Sequence, residues 1–203
     1  MGAASAVFEG GLRDAVLDAQ QVFRAVMDAM ANPGGVMPVA DVATAPAPLL
    51  PVMAAIAATL FDHDATVWCD RPIAGSEAAM GWLKFHTGLE IAADPAAAQF
   101  ALVHDIEAMP SFDSFAKGTS DYPDRSTTLI LQVEGFDGPE RLTLEGPGIK
   151  DSRFFAPSRL PKMFHQQWAA NRRAFPRGID LIFAGRGALA ALPRTTRILK
   201  EEV

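Results

Sequence analysis

Thr127-Thr128-Leu129-Ile130-Leu131-Gln132-Val133 reads as the central strand of a sheet, because its residues are β-branched or apolar enough to be buried on both faces. Toward the C-terminus, residues 141–145 alternate Leu142 and Leu144 with polar neighbours, as a half-solvated strand does. A helix is expected from Pro161, placed at its first position, to about Ala174, with Phe164, Trp168 and Asn171 on one side and Pro176 and Gly178 ending it. Strands are expected at residues 179–183 and 195–199. Toward the N-terminus come strands at 100–103 and 66–69, a short weakly patterned helix at 109–116, and a helix at 52–61. A further helix at 77–85 has Ser76 as N-cap and Gly88 just past its end. In the first long helix, Leu12, Val16, Ala19, Phe23, Val26 or Met27, and Met30 recur at steps of three and four, which predicts a core stripe. Asn32-Pro33-Gly34-Gly35 closes that helix. Interleaved helices and strands define an α/β protein with a mixed sheet and helices on both faces, and residues 1–203 read as one domain.

Composition narrows the function. With 203 residues, 49% of them hydrophobic and 21% charged, the chain can bury a substantial core. Cys69 is the only cysteine, so neither a disulfide framework nor a Cys-rich zinc site is expected, and a reducing compartment follows. The start, Met1 to Ala6, lacks the basic region of a signal peptide, which reads as cytoplasmic. Residues 42–61 carry no charge, but Pro46, Pro48 and Pro51 break their first half. About ten apolar residues remain, roughly 15 Å of helix and about half a bilayer core, so a buried helix is expected and no membrane span.

Charge is uneven. Residues 1–150 hold 8 Lys+Arg against 20 Asp+Glu, whereas residues 151–200 hold 10 against 2. Such a basic quarter either meets something anionic or pairs with the acidic part of the same fold or a neighbouring subunit. A pI near 5.2 and the lack of a recognised module argue against nucleic acid.

Several devices are missing. There is no phosphate-binding G-x-x-x-x-G-K-[ST] loop and no G-x-S-x-G elbow, and Gly185-Arg186-Gly187 stops two glycines into a dinucleotide fingerprint. His63 between Asp62 and Asp64 reads as a surface or capping residue before a metal ligand, and no metal is expected. His86 sits at a helix C-terminus, where the dipole favours its protonated form; it is either a cap or a donor facing a ligand. None of Lys84, Lys117, Lys150, Lys162 and Lys200 stands out as a Schiff-base nucleophile. Gly118 to Ser126, with the lone Tyr122 and Arg125, is a hydroxyl-rich loop entering the central strand at its N-terminal end, away from the usual ligand crevice. Gly146-Pro147-Gly148-Ile149 forms a turn that allows another backbone or a ligand to approach closely. Leu192-Pro193-Arg194-Thr195-Thr196-Arg197 suits either phosphate or a salt-bridged surface strand.

In order along the chain, Phe23-Arg24-x-x-Met27-x-x-Met30-Ala31-Asn32-Pro33-Gly34, Leu60-Phe61-Asp62-x-Asp64, Phe85-His86-Thr87-Gly88, Gly118 to Ser126, Gly146 to Ile149, Trp168-x-x-Asn171, Phe175-Pro176-x-Gly178-Ile179-Asp180 and Leu192 to Thr196 resemble the PhnH family. That family is part of the bacterial carbon-phosphorus lyase machinery. The resemblance implies a three-layer α/β/α sandwich similar to the large domain of pyridoxal-phosphate transferases, without their cofactor lysine and with no cofactor. It implies a homodimer joined to PhnG, PhnI and PhnJ, an assembly that makes α-D-ribose 1-methylphosphonate 5-triphosphate from ATP and methylphosphonate, with this chain inactive alone. It supplies no catalytic residue. Arg24, His86, Tyr122, Arg125, Asn171, Asp180 and Arg194 match its motifs and form a candidate ligand or interface set. The alternative is a purely structural dimerisation module; an independent pyridoxal-phosphate enzyme is the third reading.

Overall fold

The computed structural model describes residues 9–40 and 43–199. In chain order the elements are β1 (Gly11–Leu12), α1 (Leu17–Ala31), β2 (Met37–Pro38), β3 (Ala43–Thr44), α2 (Pro51–Leu60), β4 (Thr66–Cys69), α3 (Arg71–Ala74), α4 (Glu77–Thr87), β5 (Glu90–Ile91), β6 (Phe100–Val103), β7 (Thr128–Gln132), β8 (Leu142–Glu145), β9 (Arg153–Phe155), α5 (Phe164–Arg173), β10 (Asp180–Ala184), β11 (Ala188–Leu192) and β12 (Arg197–Leu199).

Seven strands form a mixed sheet in the order β2-β11-β10-β7-β6-β4-β5. From β10 through β7, β6 and β4 to β5 every pairing is parallel, while β11 is antiparallel to both β10 and β2. The expected central strand is central. Side chains alternate between two cores: Ile130, Ile182 and Leu189 enter one with α1, α2 and α4, and Leu129, Leu131, Leu181 and Phe183 enter the other with α5. Each fully buried Leu, Ile or Phe of this sheet contributes about 1.5–3 kcal/mol. On the second face α5 shares the cover with a three-stranded antiparallel sheet, β12-β8-β9. No helix among the described residues is long and apolar enough to cross a membrane.

Local signals explain several boundaries. The Ser76 hydroxyl accepts from the Ala79 amide at 3.2 Å, and Gly88 ends α4 at φ 73°, a left-handed value that favours glycine. The Gly146-Pro147-Gly148 turn does meet a backbone: a Cβ on Gly148 would lie 2.0 Å from the Ala31 carbonyl oxygen at the end of α1. Other expectations are corrected. α1 begins at Leu17, and its buried line is Val22, Val26 and Ala29; Val16, Phe23 and Met27 are exposed. The helix is apolar on two faces, and the face with small Ala29 packs against β11 and α2. α5 starts at Phe164, three residues after Pro161, because Met163 at φ 55° breaks the helical run. Residues 109–116 hold only a 3₁₀ turn at Phe112–Ser114.

Candidate functional site

The parallel register of β7 and β10, with Asp180 opposite Thr128, brings the segments preceding both strands to one edge of the sheet. Tyr122, Arg125, Asn171, Asp180 and Arg194 all gather at this amino edge. Arg194, two residues past β11, donates through Nε to both Asp180 carboxylate oxygens at 3.1 Å, and its guanidinium also pairs with Asp180 through a second nitrogen. The remaining donors reach Ser126 Oγ at 2.5 Å and the carbonyls of Pro123 at 2.8 Å and Pro176 at 3.5 Å. Asp180 also accepts from the Arg194 amide at 2.6 Å. With the two side chains 14% and 12% exposed, this is a buried clamp joining four segments, not a surface strand pair, and every guanidinium nitrogen is engaged. Asn171 is buried, and its amide bonds both backbone groups of Ile179 at 2.9 Å, tying α5 to the start of β10. Outside the clamp, the Arg125 guanidinium lies 4.2 Å from the centre of the exposed Tyr122 ring, and Arg125, Ser126, Thr128 and Thr66 line a cleft of about 700 Å³.

Arg24 and His86 lie apart from this edge. Arg24 is on the exposed side of α1. His86, in the last turn of α4, packs on Trp82 with ring centroids 4.6 Å apart, and a Cβ on Gly11 would come within 2.7 Å of its ring. Burial lowers its pKa, against a smaller upward pull from a hydrogen bond to the Glu9 backbone. Desolvation of the imidazolium thus works against the protonated form that its place at the helix C-terminus suggested. Its Nε2 is buried with no partner among the described residues.

The opposite, carboxyl edge holds residues that the sequence reading missed. Asp70, directly after β4, accepts from the backbone amides of His104 and Asp105 at 2.7 Å and of Ile73 at 3.2 Å. Burial raises its pKa more than these amides lower it. At the end of β7, Gln132 Oε1 accepts from the Leu50 amide at 2.8 Å, so its NH₂ group donates to the Pro48 carbonyl at 2.9 Å and to His104 Nδ1 at 2.6 Å. That orientation puts the His104 hydrogen on Nε2. Beside it, Trp68, Asp70, Arg71 and Asp105 line a cavity of about 570 Å³. A signal was available: in parallel sheets the crevice lies after the strands, and Asp70 and His104 each follow one.

Other groups offer little chemistry. Burial, with nearby Asp70, pushes the Cys69 thiol up to about 12, which makes it a poor nucleophile. Asp62, His63 and Asp64 bring ligand atoms within 4.8 Å of one another but are all exposed, and Asp62 already accepts from the Asp64 amide. Lys84, Lys150 and Lys162 are exposed, and Lys117 pairs with Asp113. Three arginines of the basic quarter pair with the acidic body, Arg159 with Glu107, Arg186 with Glu134 and Arg197 with Glu145, and His165 meets Glu140.

These features define an α/β protein whose strongest buried polar constellations hold its own strand ends together. The family model "Bacterial phosphonate metabolism protein (PhnH)" matches residues 10–199, and the chain belongs to this family. It is 44% identical over 201 residues, 99% of this chain and 100% of the relative, to "Alpha-D-ribose 1-methylphosphonate 5-triphosphate synthase subunit PhnH" of Rhizobium meliloti (strain 1021). It is 30% identical over 182 residues, 88% of this chain and 85% of the relative, to "Putative C-P lyase subunit protein HtxG" of Stutzerimonas stutzeri.

Proposed function

We propose that this chain is a non-autonomous subunit of the assembly that forms α-D-ribose 1-methylphosphonate 5-triphosphate from ATP and methylphosphonate in phosphonate catabolism. It works in the cytoplasm as a homodimer with PhnG, PhnI and PhnJ. Residues 1–203 form one domain, a layered sheet resembling the large domain of pyridoxal-phosphate transferases. The observation that carries this reading is the 44% identity across 99% of this chain to a protein named as a subunit of that synthase.

Two measurements test it. A deletion strain should grow on phosphate and fail on methylphosphonate, and co-expressed partner subunits should retain this chain through purification. Equal growth on both sources refutes the assignment. The internal engagement of Arg194 supports the second reading, a structural subunit without a ligand site. Arg125, whose charge faces the amino-edge cleft, separates the two. If Arg125→Ala leaves assembly intact and abolishes turnover, the scaffold reading fails.

A further inference from the structure

Two neighbouring cations of the basic quarter are left unneutralised by the acidic body at the end of one helix. Arg172 and Arg173 close α5, and neither pairs with a carboxylate among the described residues; Arg172 lies 5.7 Å from the ring of exposed Phe175. With Arg197, Glu145, His165 and Leu199 they line a cavity of about 440 Å³ between α5 and β12. A second cavity, about 560 Å³, adjoins it and shares His165, Ile198 and Leu199. The two form an elongated groove with an apolar floor, lined by Arg141, Arg172, Arg173 and Arg197 and by two carboxylates, Glu140 and Glu145, which pair with His165 and Arg197. Among the described residues β12 is an edge strand, paired with β8 alone.

We propose that this groove docks an extended acidic segment of another subunit of the assembly. The inference rests on the subunit reading above. Elongation and the apolar floor favour a polypeptide over a compact anion, which would need only the arginine end. Arginines bordering apolar surface suit an interface, because a guanidinium pairs bidentately with carboxylates while its stem packs on the floor. The carboxylates of the segment meet Arg172 and Arg173, and its apolar side chains cover Ile198 and Leu199.

The test co-expresses the full chain, as wild type or as Arg172→Glu/Arg173→Glu, with tagged partner subunits and measures how much stays bound. Retention of the variant should fall at least about tenfold, the size expected when like charges replace a complementary pair. Wild-type retention should weaken between roughly 0.05 and 0.3 M salt as screening grows. Arg173 is exposed and Arg172 half-buried, so the melting temperature is measured alongside and an unchanged value shows that the variant is folded; Arg172→Gln/Arg173→Gln should give an intermediate loss. Unchanged retention of the charge-reversed chain overturns the proposal while leaving the subunit reading intact. So does a variant that assembles normally but loses inorganic phosphate or ATP binding, or one that assembles normally but no longer self-associates. A wild-type chain that never joins its partners sinks both.

Discussion

The two ends of the parallel strands are held by opposite means. At the amino edge a charged pair, Asp180 and Arg194, is buried and closed on itself. At the carboxyl edge a buried carboxylate, Asp70, gathers backbone amides, and a neutral amide, Gln132, holds the Nδ1 side of an exposed imidazole, His104. Breaking the amino-edge pair therefore strands a buried charge, whereas at the carboxyl edge backbone amides and a neutral side chain surround one carboxylate and one imidazole. A residue's chemical type alone does not distinguish these roles; its degree of closure does.

The strongest way to break this contrast is Arg194→Ala, which strands Asp180 in a buried site and should cost about 3–5 kcal/mol in urea unfolding. The double replacement of Arg194 and Asp180 should cost less than the sum of the singles. A loss below about 1 kcal/mol would show that the clamp is dispensable. Next, Asp70→Ala should cost roughly 1–3 kcal/mol, because it leaves amides of the β6–loop junction without an acceptor. Gln132→Leu should cost about 1–2 kcal/mol and release the His104 tautomer, visible in imidazole nitrogen chemical shifts; unchanged shifts would rule out the orienting role. Tyr122→Ala removes only an exposed cation–π contact and should change stability by less than about 1 kcal/mol.

The smallest effect is the pH response of His86. Its folded pKa lies below the ordinary 6.5, so the folded state binds fewer protons than the unfolded chain. Stability is fully present above 6.5 and declines as pH falls from there toward the lower folded value. Thermal melts should show this slope, and His86→Gln should flatten it.

Strong local patterns were readable from sequence. β7 was evident from its β-branched and apolar run, and α4 from Ser76 and Gly88 at its ends. β11, Ala-Leu-Ala-Ala-Leu, was not, because alanine favours no strand and only the pairing with β10 and β2 makes it one. The stripe of α1 was read in part: Val26 is buried and Leu12 and Met30 pack on the core, but Val16, Phe23 and Met27 are exposed, because both faces of that helix are apolar and sequence cannot say which one meets β11. The amino-edge residues were nominated through motif resemblance, yet that resemblance is silent on whether a guanidinium closes on Asp180 or opens to a ligand. Asp70, His104 and Gln132 become neighbours only once β4, β6 and β7 are ordered side by side.

β12 pairs residues 197–199 with β8 at 143–145, and the Thr196 carbonyl receives the buried Trp168 indole N–H at 3.1 Å. Any change that detaches residues 196–199 therefore leaves the buried Trp168 indole N–H without its acceptor and uncovers Leu144. Residues 197–199 also form one wall of the arginine groove, so that wall and the packing of Trp168 stand or fall together.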